Sequence, residues 1–165
     1  MLIQLKKELR KEKRIKMKRA IDILKPFVII LLLSSYNSGK DVTFNLTIEV
    51  NELRNSNGSV QFALYNRADA FPDEHFKKYL KKLTGKIING SSSVTFENLP
   101  EGTYAINILH DENTDGRINK GLILPKEGIG FSNYQSVGFF NRPVFPKASF
   151  YLNCDMRIKV NILYL

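Results

Sequence analysis

The feature that most constrains the fold is a strict alternation of apolar and polar residues that begins at Val42. Every second residue is apolar over this stretch, at Val42, Phe44, Leu46, Ile48 and Val50. Because successive side chains of a strand point to opposite faces, the pattern predicts a strand with one buried and one solvated face. The turn sequence Asn55-Ser56-Asn57-Gly58 follows, and a second alternation runs from Val60 to Tyr65. Together they predict a β-hairpin.

Similar alternations recur over residues 104–108 and 150–164, separated by turns rich in glycine and asparagine. Several short strands at such spacing are typical of two packed sheets. We therefore expect an all-β domain, a sandwich with about seven to nine strands. Tyr104 follows a glycine turn at a strand start, which resembles the tyrosine corner of such sandwiches.

Two stretches depart from the strand pattern. The spacing of Phe76, Tyr79, Leu80 and Leu83, with lysines between them, predicts one short amphipathic helix whose lysines face solvent. The alternative is that this helix lies on a membrane surface through its basic face.

Residues 121–147 lack alternation but carry five aromatics: Phe131, Tyr134, Phe139, Phe140 and Phe145. We expect this segment to plug the open end of the core, the alternative being a groove for a glycan or a peptide.

The amino-terminal residues 1–38 have the layout of an export signal. A basic head precedes seven consecutive apolar residues, Phe27 to Leu33, and then small polar residues. The apolar run is too short to span a bilayer, which takes about 20 residues. We therefore expect residues 1–38 to be a signal or anchor segment. If the segment is not cleaved, residues 21–36 form the anchor; Met17 is an alternative start of the chain. A single β-domain then occupies residues 39–165.

The net charge of +9 is concentrated in the same segment. Ten of the 25 Lys and Arg residues and three of the 16 acids lie in residues 1–38, which leaves a net charge of only +2 for the rest. A nucleic-acid-binding domain needs a basic face to neutralise phosphates. We therefore expect no nucleic-acid partner, and membrane contact only through the amino-terminal segment.

Ordered carboxylates and amides crowd into the stretch that follows His110. Asp111, Asn113 and Asp115 stand two residues apart and precede Gly116, which matches the first half of a calcium-binding loop. The usual closing glutamate is replaced by Leu122, so Glu127 can close the shell only if the chain folds back. We predict a Ca²⁺ site whose candidate ligands are Asp111, Asn113, Asp115, Asn119 and Glu127. The alternative is an Asx-rich turn without metal.

An enzymatic interpretation would make His110 a general base oriented by Asp111 or Asp115. The sequence offers no nucleophile at a recognisable turn, and adjacent strand residues point to opposite faces. A strand-end histidine that is satisfied by a hydrogen bond explains His110 equally simply. We expect a protein that is not an enzyme, with the His110 mechanism as the alternative.

Several motifs together resemble one family. They are Phe62-Ala63-Leu64-Tyr65-Asn66, Phe71-Pro72, Leu99-Pro100-x-Gly102-Thr103-Tyr104-Ala105, His110-Asp111-Glu112-Asn113 and Pro125-Lys126-Glu127-Gly128-Ile129-Gly130-Phe131-Ser132-Asn133. Over residues 42–165 the chain is similar to the bacterial domain of unknown function family 2141. The resemblance implies an exported, periplasmic β-sandwich of immunoglobulin-like or transthyretin-like type and no particular activity. Tyr134, and the segment from Phe140 to Pro143, depart from the family pattern.

These observations together predict an uncharacterised, exported envelope protein. Its function is expected to be non-catalytic binding or a structural role, with the loops of residues 110–133 as the functional edge. The expected location is the periplasm or the outside of the cell. The expected partner is an envelope component, a glycan or a peptide.

Overall fold

The computed structural model describes residues 1, 4, 6–19, 42–73, 75–119, 125–138 and 140–165. The chain forms two compact units, Met1–Lys40 and Asp41–Leu165. In the first, residues 6–19 are helical; the predicted signal or anchor segment, residues 21–36, lies outside the described residues. Among the described residues there is no helix with the length and apolar content needed to cross a membrane.

The described residues of the second unit form eight strands. In chain order they are β1 (Thr43–Val50), β2 (Ser59–Tyr65), β3 (Lys81–Gly85), β4 (Ser92–Pro100), β5 (Gly102–Asp111), β6 (Gly128–Phe131), β7 (Phe150–Leu152) and β8 (Met156–Lys159). One sheet has the order β4-β1-β8, with β8 parallel to β1. The other has the order β3-β2-β5-β6, and β7 pairs with β5 beside β6. The predicted all-β, two-sheet architecture is therefore confirmed.

The main core lies between the two sheets and follows the predicted alternation. The predicted β-hairpin of β1 and β2 is wrong, because the two strands lie in different sheets, where β1 pairs with β4 and β8, and β2 with β3 and β5. The buried members of the core include Leu46, Ile48, Phe62, Leu64, Phe96, Ile106 and Ile108. The hydroxyl of Tyr104 donates a 2.8 Å hydrogen bond to the carbonyl of Pro100, four residues upstream. That bond is the feature expected of a tyrosine corner.

A second apolar cluster covers the opposite face of the β2–β5–β6 sheet. It contains Ala63, Tyr65, Phe71, Leu109, Ile129, Phe131 and Tyr134, among others. As a result β2 and β5 are buried on both faces. Phe131 and Tyr134 thus pack as core residues, but in this second cluster on the sheet face and not at the open end of the main core as predicted, whereas Phe140 is exposed.

The predicted helix over residues 76–83 is wrong. Lys81–Gly85 is strand β3, which pairs with β2, and the short α-helix of this unit is Phe145–Ala148. Phe76 has a φ of +50°, outside the right-handed helical region. The Asp73 carboxylate also accepts hydrogen bonds from the backbone amides of Lys77 and Lys78, at 2.6 and 2.5 Å. These amides are therefore satisfied by a side chain instead of by helical carbonyls.

The segment 121–147 is more regular than its sequence predicts, because residues Gly128–Phe131 form strand β6. The two glycines of this strand lie against the carboxyl-terminal segment. A β-carbon at Gly128 would come within 2.5 Å of the Ile162 side chain, and one at Gly130 within 2.8 Å of the Asn161 carbonyl oxygen. Glycine is required for this close approach, and it removes the side-chain alternation by which a strand is recognised.

Candidate metal centre

The acidic loop, residues 111–119, starts where strand β5 ends. Strands β5 and β6 are antiparallel with His110 opposite Gly128. The next position on each strand therefore brings Asp111 beside Glu127, which directly precedes β6. This pairing is the fold-back that Glu127 needs in order to replace the absent ligand at position 122; Leu122 itself lies outside the described residues.

Three carboxylates converge at this point. One oxygen from each of Asp111, Asp115 and Glu127 lies within 4.8 Å of the other two. Calcium binds oxygens at about 2.3–2.6 Å, so two ligands on one ion are separated by at most about 5 Å. Asp111 is 1% exposed and Glu127 is 4% exposed, whereas Asp115 is exposed. The spacing is that of oxygens able to share one cation.

Backbone amides hold these carboxylates in place. Asp111 accepts hydrogen bonds from the amides of Asp115 and Gly116, at 3.1 and 2.9 Å. Glu127 accepts from the amides of Glu112 and Asn119, at 3.1 and 3.2 Å. Within the described part of the chain, no lysine or arginine forms a salt bridge with Asp111, Asp115 or Glu127. Backbone amides thus stabilise the negative charge of the cluster, and Arg54 and Arg117 interact electrostatically with Glu127 and Asp115.

The two asparagines of the predicted ligand set surround Asp115. The side-chain amides of Asn113 and Asn119 donate to one Asp115 oxygen at 3.2 and 2.8 Å. The Asn119 bond is the main reason that the pKa of Asp115 lies below its usual value, with a smaller contribution from the amide of Arg117. The structure thus brings together all five predicted residues: oxygens of Asp111, Asp115 and Glu127 converge, and the asparagine side chains donate to Asp115.

Gln61 also contacts the cluster, from the neighbouring strand β2. Its side-chain nitrogen donates to Asp111 at 2.5 Å, and its oxygen accepts from the Lys82 ammonium at 3.1 Å. The chain Lys82, Gln61, Asp111 links three adjacent strands. Only the sheet register brings these residues together, so spacing along the sequence gave no signal of it.

His110 has the satisfied strand-end environment that was one of the two interpretations of its sequence. Its ring is fully buried, with Nδ1 2.8 Å from the Tyr164 hydroxyl and Nε2 3.1 Å from the Asn57 carbonyl oxygen. Since a carbonyl only accepts, Nε2 carries the proton and Nδ1 accepts from Tyr164. The nearest carboxylate to Nδ1 is Glu112, at 3.8 Å. Asp111 and Asp115, which the enzymatic alternative requires, do not contact this ring.

An arginine clamp that the sequence does not reveal closes the outer side of the loop. Arg54 Nε and Nη2 donate to the two oxygens of Glu112 at 2.7 and 2.5 Å, and Asn55 donates to the same carboxylate at 2.7 Å. The hydrogen bond from Arg54 is the main reason that the pKa of Glu112 falls to about 2. The guanidinium also lies 4.6 Å from the centre of the Tyr164 ring and donates to the Lys126 carbonyl oxygen.

An open cavity of about 440 Å³ adjoins the acidic cluster. Its walls are Arg54, Glu112, Asn113, Asn119, Lys126 and Glu127. Both signs of charge and two amides face this space, so it suits a polar ligand better than an apolar one. The clamp and the acidic loop therefore form one continuous polar edge of the domain.

Comparison with known proteins gives one match. A family model described as "Uncharacterized protein conserved in bacteria (DUF2141)" matches residues 48–159. This range includes the whole acidic loop, the arginine clamp and Glu127. No curated protein and no solved structure matches the chain.

Proposed function

Since this chain belongs to the DUF2141 family of uncharacterised bacterial proteins, we propose that it is a non-catalytic binding or structural module of the cell envelope with a calcium-stabilised acidic loop. The observation that carries the calcium proposal is the convergence of Asp111, Asp115 and Glu127, whose oxygens lie within 4.8 Å of one another. Two of these carboxylates are almost fully buried. Carboxylates this close together repel one another, and a bound cation would offset that repulsion.

The chemistry of the donors favours calcium over transition metals. All the donors are hard oxygen atoms, and the nearby histidine has both ring nitrogens in hydrogen bonds. Oxygen ligands from a flexible loop suit Ca²⁺, whereas zinc and copper prefer nitrogen and sulfur. With three carboxylates and no dedicated bidentate glutamate at position 12, we expect the weak affinity of extracellular calcium modules, a Kd of about 10⁻⁴–10⁻³ M.

The proposed binding partner is a polar envelope component, a glycan or a peptide. It would occupy the cavity beside the loop, where Arg54 and Lys126 supply positive charge and Asn113 and Asn119 supply amides. In this proposal calcium orders the edge of the cavity. His110 then has a structural role, because Tyr164 and Asn57 occupy its two nitrogens.

Export is the second part of the proposal. Its support is the basic head and short apolar run of residues 1–38, with residues 21–36 as the anchor where the segment is retained. Amino-terminal sequencing of the protein recovered from cell fractions tests it. We expect an envelope or secreted fraction and either a new amino terminus near residue 38 or a retained segment.

Thermal unfolding in calcium and in chelator tests the metal proposal. Ligand that binds only the folded state raises stability by about 1.4–2.7 kcal/mol at 10 to 100 times Kd. For a domain of this size we expect the Tm to rise by roughly 4–12 °C in 10 mM CaCl₂. Each variant is compared with itself in EDTA, so that a change in intrinsic stability does not enter the result.

Asp111→Asn and Asp115→Asn keep the shape of each side chain and should abolish the calcium-dependent rise. Asp69→Asn is the matched control, because Asp69 is an exposed carboxylate in another loop, and it should retain the full rise. Absence of any shift in 10 mM calcium contradicts the proposal. So does a rise of normal size in both loop variants.

A further inference from the structure

The helix of residues 6–19 carries four cations on one of its faces. Lys7, Arg10, Lys11 and Arg14 stand at positions i, i+3, i+4 and i+7 of this helix, and residues with that spacing project from the same side of an α-helix. All four side chains are exposed, and together with Lys13 they line one open groove. We name Lys7, Arg10, Lys11 and Arg14 the basic face.

The two acids of the helix lie on a different face. Glu8 and Glu12 line a second groove, of which Lys11 is the one member shared with the first. Glu12 is paired with Lys16 at 3.2 Å. Among the described residues, no carboxylate forms a salt bridge with the basic face. The positive charge of this face is therefore available to a partner.

The arrangement of the basic face is unfavourable for the helix on its own. Lys7 and Lys11 are four residues apart, and so are Arg10 and Arg14. Like charges at this spacing destabilise an α-helix. A partner with several negative charges along the face, which is about 10 Å long at 1.5 Å per residue, would relieve this repulsion and attract each cation.

The sequence that follows the helix indicates which anionic partner fits. Seven consecutive apolar residues, Phe27 to Leu33, begin eight positions after Arg19, and a chain of that length reaches at most about 28 Å. A bilayer that accepts the apolar run therefore has its headgroups within reach of the basic face. Basic segments next to a membrane segment are attracted to anionic lipids. A nucleic acid offers the same charge but gives the apolar run no role.

We propose that the basic face of the helix binds the headgroups of anionic phospholipids. This proposal deepens the export proposal, on which it rests for the contact of the apolar run with the bilayer. It adds a defined surface on residues 6–19 and the requirement that the lipid carry negative charge.

Two variants of equal charge separate the basic face from net charge. Lys11→Gln/Arg14→Gln removes one lysine and one arginine from the basic face, and Lys16→Gln/Arg19→Gln removes the same pair from other faces of the helix. The full-length chain that starts at Met1 is used throughout. The probe is vesicles of phosphatidylglycerol and phosphatidylethanolamine, compared with vesicles of phosphatidylcholine, and sedimentation measures the bound fraction.

We expect the wild type to bind the anionic vesicles more tightly than the neutral ones. The basic-face variant should bind the anionic vesicles about 30-fold more weakly, because each cation near the surface contributes about a factor of five. The control variant should lose much less, since the helix is about 10 Å wide and the Debye length is about 8 Å at physiological salt. Salt at 1 M should remove the preference for anionic lipid in all three proteins.

The β-domain serves as an internal check on folding. It forms a separate compact unit from residues 1–40, so its thermal unfolding should be the same in the wild type and in both variants. A loss of lipid binding with unchanged unfolding then reports on the helix alone.

Three outcomes would overturn the proposal: equal binding of the wild type to anionic and neutral vesicles, equal losses in the two variants, or tighter binding of the wild type to single-stranded RNA than to anionic vesicles. The export proposal fails separately. Recovery of the protein from the cytoplasm, with no binding of the wild type to neutral vesicles, contradicts export, whereas a preference for phosphatidylglycerol that depends on the basic face would still support lipid binding.

Discussion

The arginine clamp makes a quantitative prediction about how stability depends on pH. Glu112→Gln keeps the shape of the side chain and removes its charge, so that the two hydrogen bonds from Arg54, at 2.7 and 2.5 Å, lose their ionic component. The pKa of Glu112 is about 2 in the folded protein, against 4.5 without the fold. A lowered pKa means that the folded state favours the ionised form.

The sign and size of the effect follow from this difference. The stabilisation is complete above the unfolded pKa and is lost as the pH falls from about 5 towards 2. A shift of this size corresponds to at most about 3 kcal/mol. The Glu112 side chain is 18% exposed and that of Arg54 is 42% exposed, so solvent screening should reduce the contribution to about 1–2 kcal/mol at pH 7.

Urea unfolding in EDTA, followed by circular dichroism at pH 7, 5, 4 and 3, measures this contribution. The difference between wild type and Glu112→Gln should be constant from pH 7 to 5 and should shrink towards zero below pH 3. Glu49→Gln is the control, because Glu49 pairs with Arg157, whose side chain is 68% exposed. That pair should contribute less than about 1 kcal/mol. A Glu112→Gln deficit of the same size at pH 3 and pH 7 would refute the ionic origin of the clamp.

Three further variants test the support of the loops. Gly58→Ala should lose at least about 2 kcal/mol in urea unfolding, because Gly58 has a φ of +66° and a β-carbon would lie 1.8 Å from the Asp111 carbonyl oxygen; wild-type stability would contradict this. Gln61→Leu removes the 2.5 Å bond to the buried Asp111 carboxylate and should lose about 1.5–3 kcal/mol in EDTA, whereas an unchanged midpoint would show that this bond is dispensable. Tyr134→Phe leaves the amide of Val144 without its hydrogen-bond acceptor, so the free energy of unfolding should fall by about 1–3 kcal/mol. Thermal unfolding measures this loss, and hydrogen exchange of the Val144 amide should be faster than in the wild type; an unchanged exchange rate would contradict the assignment.

The strands β1 and β2 were predictable because the alternation in each sequence identifies the side chains that face the core, whereas their pairing as a hairpin was not, since they lie in different sheets. Leu46, Ile48, Phe62 and Leu64 alternate with polar or small residues and lie in the core between the sheets. The same rule failed for Lys81–Gly85, where lysines and Leu83 also fit a helical spacing. Lys81–Gly85 forms a strand because it pairs with β2, and such pairing depends on the assembled sheet and not on the local sequence.

The candidate site likewise combines residues that are close in the sequence with residues that only the fold brings together. Asp111, Asn113 and Asp115 stand close together in the sequence, and a short turn can bring their side chains together without help from the rest of the chain. Glu127 reaches them because β6 pairs with β5. Arg54 meets Glu112, 58 positions away, because two loops meet at one end of the sandwich.

The sequence by itself determined which residues of β1, β2 and β5 face the core between the two sheets, the short-range order of Asp111, Asn113 and Asp115, and the family. These features depend on side-chain direction within one element, which is set by local backbone geometry. Only the tertiary structure decided that Glu127 completes the carboxylate cluster and that Arg54 clamps Glu112. It also decided that Phe140 projects into solvent while Phe131 and Tyr134 are buried. Such contacts depend on sheet register and on close packing between distant segments, and neither leaves a periodic trace in the sequence.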